Sequence, residues 1–131
     1  MTAGATTKNS SADDLDLINH AIGDAESEAD RAFFQELLAP AFSMVRPDGV
    51  RFDDRTHFLN SLTISSPRST RIDSITVFDN RAIVICAVSK DGDSGPMQHR
   101  NIRIFTRMDS RSPWQLLSWV TEPLSPLGGP C

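Results

Sequence analysis

Asp53, Asp54 and His57 set two carboxylates and an imidazole within about one helical turn of one another, a combination able to move a proton to or from a substrate. The pattern also suits a structural role, because an aspartate just ahead of an apolar-periodic segment caps a helix. Capping is the preferred role of the aspartate pair. Asp54 and His57 remain the catalytic candidates, with His57 at a cavity mouth beside Phe58. Further along, His99 and Arg100 open a second segment and point to opposite faces if it is a strand. Arg100 shares parity with Ile102 and Ile104, and on a cavity wall its planar guanidinium would clasp a carboxylate. His99 reads as a surface or interface residue and His20 as a solvated helix residue. Ser118 has no nearby base and no Gly-x-Ser-x-Gly elbow surrounds it, so it is a polar cavity residue and not a nucleophile. Cys86 is a small buried hydrophobe without a basic neighbour to make a thiolate. Asp91-Gly92-Asp93-Ser94-Gly95 has the look of a calcium loop, but Ile102 stands where the twelfth-position ligand belongs. No phosphate-binding Gly loop or paired-Cys motif occurs, so no metal and no cofactor is expected.

The totals narrow the setting. At 131 residues the chain is sized for one domain with a real core. A net charge of −4 and a pI near 5.2 argue against nucleic acid or an anionic membrane as partner. The arginines at 100, 103, 107 and 111 therefore read as a solvated strand edge, not an RNA surface. No apolar run approaches the roughly 20 residues that span a bilayer. The two cysteines are badly placed to pair, and Met1–Ser11 lacks the apolar core of a signal peptide, so a reduced cytoplasmic setting is expected.

Several elements must position these groups. Residues 1–11 are small and polar and are expected to be disordered. A helix capped by Asp13 or Asp14 carries the stripe Leu15, Ile18, Ile22, Ala25. A second runs from about Ser27 to Ala39 and stops at Pro40, and a third follows Asp53-Asp54 to about Leu62. Short strands flank the turn Arg46–Gly49. A meander follows: Arg71–Phe78, a turn at Asp79-Asn80, Arg81–Ser89, a loop through Pro96, Met97–Arg107 and Trp114–Thr121. The tail from Pro123 to Cys131 reads as loose, which leaves a single domain over 12–122. Helices first and strands after imply α+β architecture, with N-terminal helices on a curved antiparallel sheet. The last three strands are apolar on both faces, and a sheet of that kind must be covered twice. The helices supply one cover; a second copy of the chain is expected to supply the other.

Three stretches resemble the nuclear transport factor 2-like superfamily, whose members include the SnoaL-like cyclases, the ketosteroid isomerases and many domains of unknown function. They are Phe33–Phe42 followed by Pro47-Asp48-Gly49, the hairpin Val77–Val84, and Arg100–Arg107 followed by Trp114–Trp119. The resemblance covers about 13–122. It implies a cystatin-like cone used as a ligand pocket, and a homodimer through the outer sheet face. Relatives often place histidines or acids at the end of the last strand, where this chain has Ser118 and Val120. Isomerase relatives use a tyrosine in their oxyanion hole, and this chain has no tyrosine.

The expected pocket is lined by Phe34, Met44, Phe58, Arg100, Ile102, Trp114, Ser118 and Val120. The expected dimer face carries Phe105, Leu117 and Trp119. The function that follows is a homodimeric binding domain holding a small hydrophobic or carboxylate-bearing molecule in its cone. The alternative is a cyclase, isomerase or dehydratase that moves a proton on a hydrophobic substrate.

Overall fold

A computed structural model describes residues 3–92 and 95–124, with side chains from residue 11 onward. The tail beyond residue 124, including Cys131, lies outside the described residues. The first helix, α1, spans Ala3–Glu28, so it starts well upstream of the expected aspartate cap. Its stripe buries Leu15, Ile22 and Ala25, and Asn19 shares that buried line. The helix ends where Ala29 takes a left-handed conformation (φ 54°). The Ala29 N–H then donates to the Glu26 carbonyl and the Asp30 N–H to that of Ala25, at 3.3 and 2.9 Å. This double closure usually places glycine at the turning residue. It stops α1 and lets Asp30 cap α2 (Arg31–Leu37), its carboxylate accepting from the Phe33 N–H.

The chain then forms β1 (Leu38–Val45), β2 (Phe52–Asp54) and α3 (Arg55–Asn60), with the Asp54 carboxylate capping α3 by accepting from the His57 N–H at 2.8 Å. The long meander is β3 (Arg68–Phe78), β4 (Arg81–Gly92), β5 (Gly95–Thr106) and β6 (Gln115–Pro123). Asp79 turns the β3–β4 hairpin at φ 52°. The six strands make one sheet in the order β2-β1-β6-β5-β4-β3. All neighbours are antiparallel except β1 and β6, which run parallel. The α+β class holds, and the sheet is mixed where an antiparallel one was expected.

The helices cover one face. Against them β4 buries Ala82, Val84 and Cys86, β5 buries Asn101, Arg103 and Phe105, and β6 buries Leu116, Trp119 and Thr121. An irregularity between Ile104 and Phe105 in the β5–β6 pairing leaves Leu117 as an extra residue, with Leu116 opposite Phe105 and Ser118 opposite Ile104. Such a bulge shifts the alternation of the strand that carries it. Leu116 and Trp119 therefore face inward although their numbers differ by three. Phe34, Phe42, Phe58 and Trp119 fill the middle, with ring centroids 5.0 to 5.7 Å apart in successive contacts.

Candidate functional site

Arg103 lies at the centre of β5 with no exposed surface. An ion there must be repaid by geometry. Its Nη1 donates to Asn19 Oδ1 at 3.0 Å and its Nη2 to Asn101 Oδ1 at 2.8 Å, while its guanidinium carbon sits 4.4 Å from the Trp119 ring centroid. Trp119 Nε1 donates to the same Asn101 oxygen at 2.7 Å. Arginine and tryptophan can only donate, so the Asn101 oxygen must face both of them. Its amide nitrogen is turned the other way, free to donate.

Asn101 and Trp119 form the floor of a pocket of about 100 Å³. Around it stand Glu26 from the end of α1, Met44 and Arg46 from β1 and its turn, Arg68 from β3, Lys90 from β4, His99 from β5 and Thr121 from β6. Arg68 Nε lies 3.3 Å from Glu26 Oε1, and the two side chains are 12% and 14% exposed. Arg46 is tied to Asp53 through Nε at 2.7 Å. The Thr121 hydroxyl oxygen is buried and has no hydrogen-bond partner among the described residues. Buried hydroxyls almost always have one.

The charges here are displaced from their usual behaviour. Burial pushes the Glu26 carboxyl above its ordinary value near 4.5, opposed by Arg68, Arg103, Lys90 and Arg46. Burial also lowers His99, helped by Lys90 and Arg68, so the imidazole favours its neutral form. A carboxyl whose folded pKa is raised gives stability that is fully present below its unfolded pKa and lost as pH rises through the folded one. Glu26→Gln is therefore expected to gain on the parent protein as pH climbs from below 4.5 toward neutrality. Urea midpoints of both proteins across that range measure the gap, and a gap independent of pH refutes the assignment.

The expected pocket residues fall in four places. Met44 is in the pocket wall, Trp114 lines a separate groove, and Phe34 and Phe58 are packed into the solid aromatic centre. No room remains there for the apolar ligand that the sequence led us to expect. Arg100, Ile102, Ser118 and Val120 pair across the opposite, outer face. Phe105 and Trp119, expected on that outer face, belong to the inner core, and Leu117 sits in the bulge. On β5 the inner set proved to be the one containing Asn101 and Arg103, which by polarity alone belongs outside. Asp54 spends its carboxylate on the α3 cap, and the His57 side chain is 72% exposed, 4.0 Å from Asp53. Sequence reasoning missed Glu26, Arg68, Arg103 and Thr121. For Glu26 a signal existed: Asn19 and Glu26 continue the helical spacing of Leu15 and Ile22, placing a carboxylate on the buried stripe.

A long helix, two short ones and a six-stranded mixed sheet with a pocket between the helices and the sheet define the nuclear transport factor 2-like, or cystatin-like, α+β fold. Solved structures agree with it. A nuclear transport factor 2-like protein of unknown function in nutrient uptake from Rhodospirillum rubrum has a TM-score of 0.73 at 16% identity, over 85% of this chain and 98% of that one. One of unknown function from Silicibacter pomeroyi gives 0.72 at 15% identity, over 89% and 98%. A candidate Ca/calmodulin-dependent kinase II association domain from Exiguobacterium sibiricum gives 0.68 at 20% identity, over 86% and 92%. No protein-family model and no curated protein matches the sequence.

Proposed function

We propose that this chain is a self-associating binding module that takes a small carboxylate-bearing molecule into the pocket beside Glu26 and Arg68. The carrying observation is the donor-rich wall: Arg46, Arg68, Lys90, the Asn101 amide and the partnerless Thr121 hydroxyl around about 100 Å³. That volume is near three waters' share of liquid. It suits a ligand of a few heavy atoms and not the drug-sized apolar molecules that fill larger pockets. Glu26 and Asp53 compensate Arg68 and Arg46. Arg103, below the floor, has only amide oxygens and an indole as close partners among the described residues, which leaves the surroundings positive. The association domain among the structural neighbours supports the self-associating part, as do Ile83, Ile85, Ile102, Ile104, Val120 and Val45 along the outer face.

Acetate, glycolate and succinate titrations followed at the Trp119 indole N–H test the ligand. At least one is expected to bind with a dissociation constant on the order of 1 mM or tighter, worth about 4 kcal/mol. Thr121→Val removes a buried hydroxyl that has no partner, so its stability should match or exceed the parent's. Its affinity should fall. Absence of any saturable shift with all three acids removes the ligand reading.

A second reading is favoured by one observation: the raised Glu26 carboxyl and the lowered His99 imidazole share the pocket. A carboxyl whose pKa is raised in a cleft, beside an imidazole held neutral, is equipment for proton transfer. On this reading Glu26 moves the proton and Arg68 holds the substrate's developing negative charge. Deuterium exchange into the carbon acid of a bound 2-oxo acid, lost in Glu26→Gln, is its test.

A further inference from the structure

At the opposite end of the helix-covered face is a second opening of about 960 Å³, between α1, the far end of β3 and the loop that joins β5 to β6. It shares no lining residue with the pocket beside Glu26. One side is apolar: Leu17 and Ile18 from α1 face Ile75 and Val77 from β3, and Leu17 is 70% exposed. The other side is a stacked pair. The Arg107 guanidinium carbon sits 4.1 Å from the Trp114 ring centroid. Arg107 donates to Asn80 Oδ1 at 3.2 Å and to Ser11 Oγ and the Asp79 carbonyl at 3.3 Å. These are neutral oxygens at long range, and among the described residues Arg107 has no carboxylate within ion-pair distance. Trp114 is 5% exposed, and its indole N–H is buried without an acceptor. An unsatisfied indole donor in a wall calls for an acceptor.

The geometry points to a second binding site here, for an amphipathic carboxylate. Its apolar body would lie along Leu17, Ile18, Ile75 and Val77, and its carboxylate would meet Arg107 and the Trp114 N–H. Three features fix the chemical class. An anion gives Arg107 a direct ion-pair partner, where Asp109 acts on it only from beyond contact, and a guanidinium fork matches the two carboxylate oxygens. The same anion supplies the acceptor for Trp114. The volume lies within the range of pockets that enclose molecules of twenty or so heavy atoms, and the Leu17–Val77 wall takes a hydrocarbon chain from water. The lining carries Arg107 and Arg111 against Asp14, with Asp109 beside them outside it.

Decanoate is the probe, with 1-decanol and acetate as controls, and the two indole N–H signals are the readout. Trp114→Phe assigns them. Decanoate is expected to move the Trp114 signal saturably, with decanol and acetate each at least tenfold weaker. Arg107→Met should weaken decanoate at least tenfold and leave decanol unchanged. Leu17→Glu, at an exposed position where folding is indifferent, should weaken decanoate equally. An unmoved Trp114 signal overturns the site, as does equal binding by Leu17→Glu. If decanoate moves only the Trp119 signal, the acid has gone to the pocket beside Glu26 and this site falls while the other stands.

Discussion

Replacing Arg103 with alanine is expected to cost about 3–5 kcal/mol of stability, the upper range for a single substitution. Two costs combine. The long side chain leaves a hole among Asn19, Asn101 and Trp119, which close around it, and large-to-small changes in a core cost about 2–5 kcal/mol. The Asn19 oxygen, fully buried, also loses its donor, at about 1–3 kcal/mol. One effect opposes them: a buried cation has been removed, and replacing buried ions by apolar side chains can stabilise. Arg103→Met separates these effects by keeping most of the volume. It is expected to cost about 1–3 kcal/mol, the orphaned oxygen alone. Arg103→Met combined with Asn19→Leu should recover most of that, because both polar ends are then gone. Urea unfolding of the three variants decides. An Arg103→Met protein as stable as the parent would show that ion removal outweighs the lost hydrogen bonds.

Ile102→Glu is expected to abolish self-association and leave the fold intact. Ile102 stands in the row Val45, Val120, Ile102, Ile85 on the outer face, beside Ile104 and Ile83. These side chains are partly accessible, and Ile83 is 44% exposed, so a carboxylate is tolerated in a lone subunit. In a two-fold interface each substitution occurs twice. Burying two unpaired carboxylates costs well over about 4 kcal/mol, which is a thousandfold or more in the association constant. Arg71→Ala, toward the rim beside Asp73, should change it little. Sedimentation velocity over a concentration series measures both. A parent that stays monomeric at the highest concentration, or an Ile102→Glu protein that still associates, defeats the outer-face reading.

The order of helices and strands was readable because it rests on local signals: the Leu15–Ala25 stripe, the Asp54 cap, the turn at Asp79-Asn80 and the alternation along the strands. What could not be read was which face each strand buries. That depends on two facts with no local signature. One is the extra residue at Leu117, which reverses the sides of Trp119 and Val120 relative to simple alternation. The other is a buried cation: Arg103 looks like a surface residue until Asn19, more than eighty positions earlier, is placed against it. The pocket was hidden for the same reason. Its charged residues come from α1, the turn after β1, β3 and β4 and meet only in space, whereas Asp53, Asp54 and His57 are close in sequence and are mostly taken up by a helix cap and an exposed ring.

The parallel seam between β1 and β6 has a consequence for how the chain acquires its shape. Ser43 lies beside Ser118 and Val45 beside Val120, so the first strand finds its inner neighbour only when the last one arrives. The β3–β4–β5 strands are neighbours in sequence and can pair locally, at little loop-closure entropy. β1 pairs locally with β2 on one edge, but its other edge has no such partner nearby and must wait for β6. Contacts so distant along the chain slow folding. A nascent chain made through β5 would hold the β3–β4–β5 meander and, upstream of it, a β1 whose second edge stays open until β6 is made.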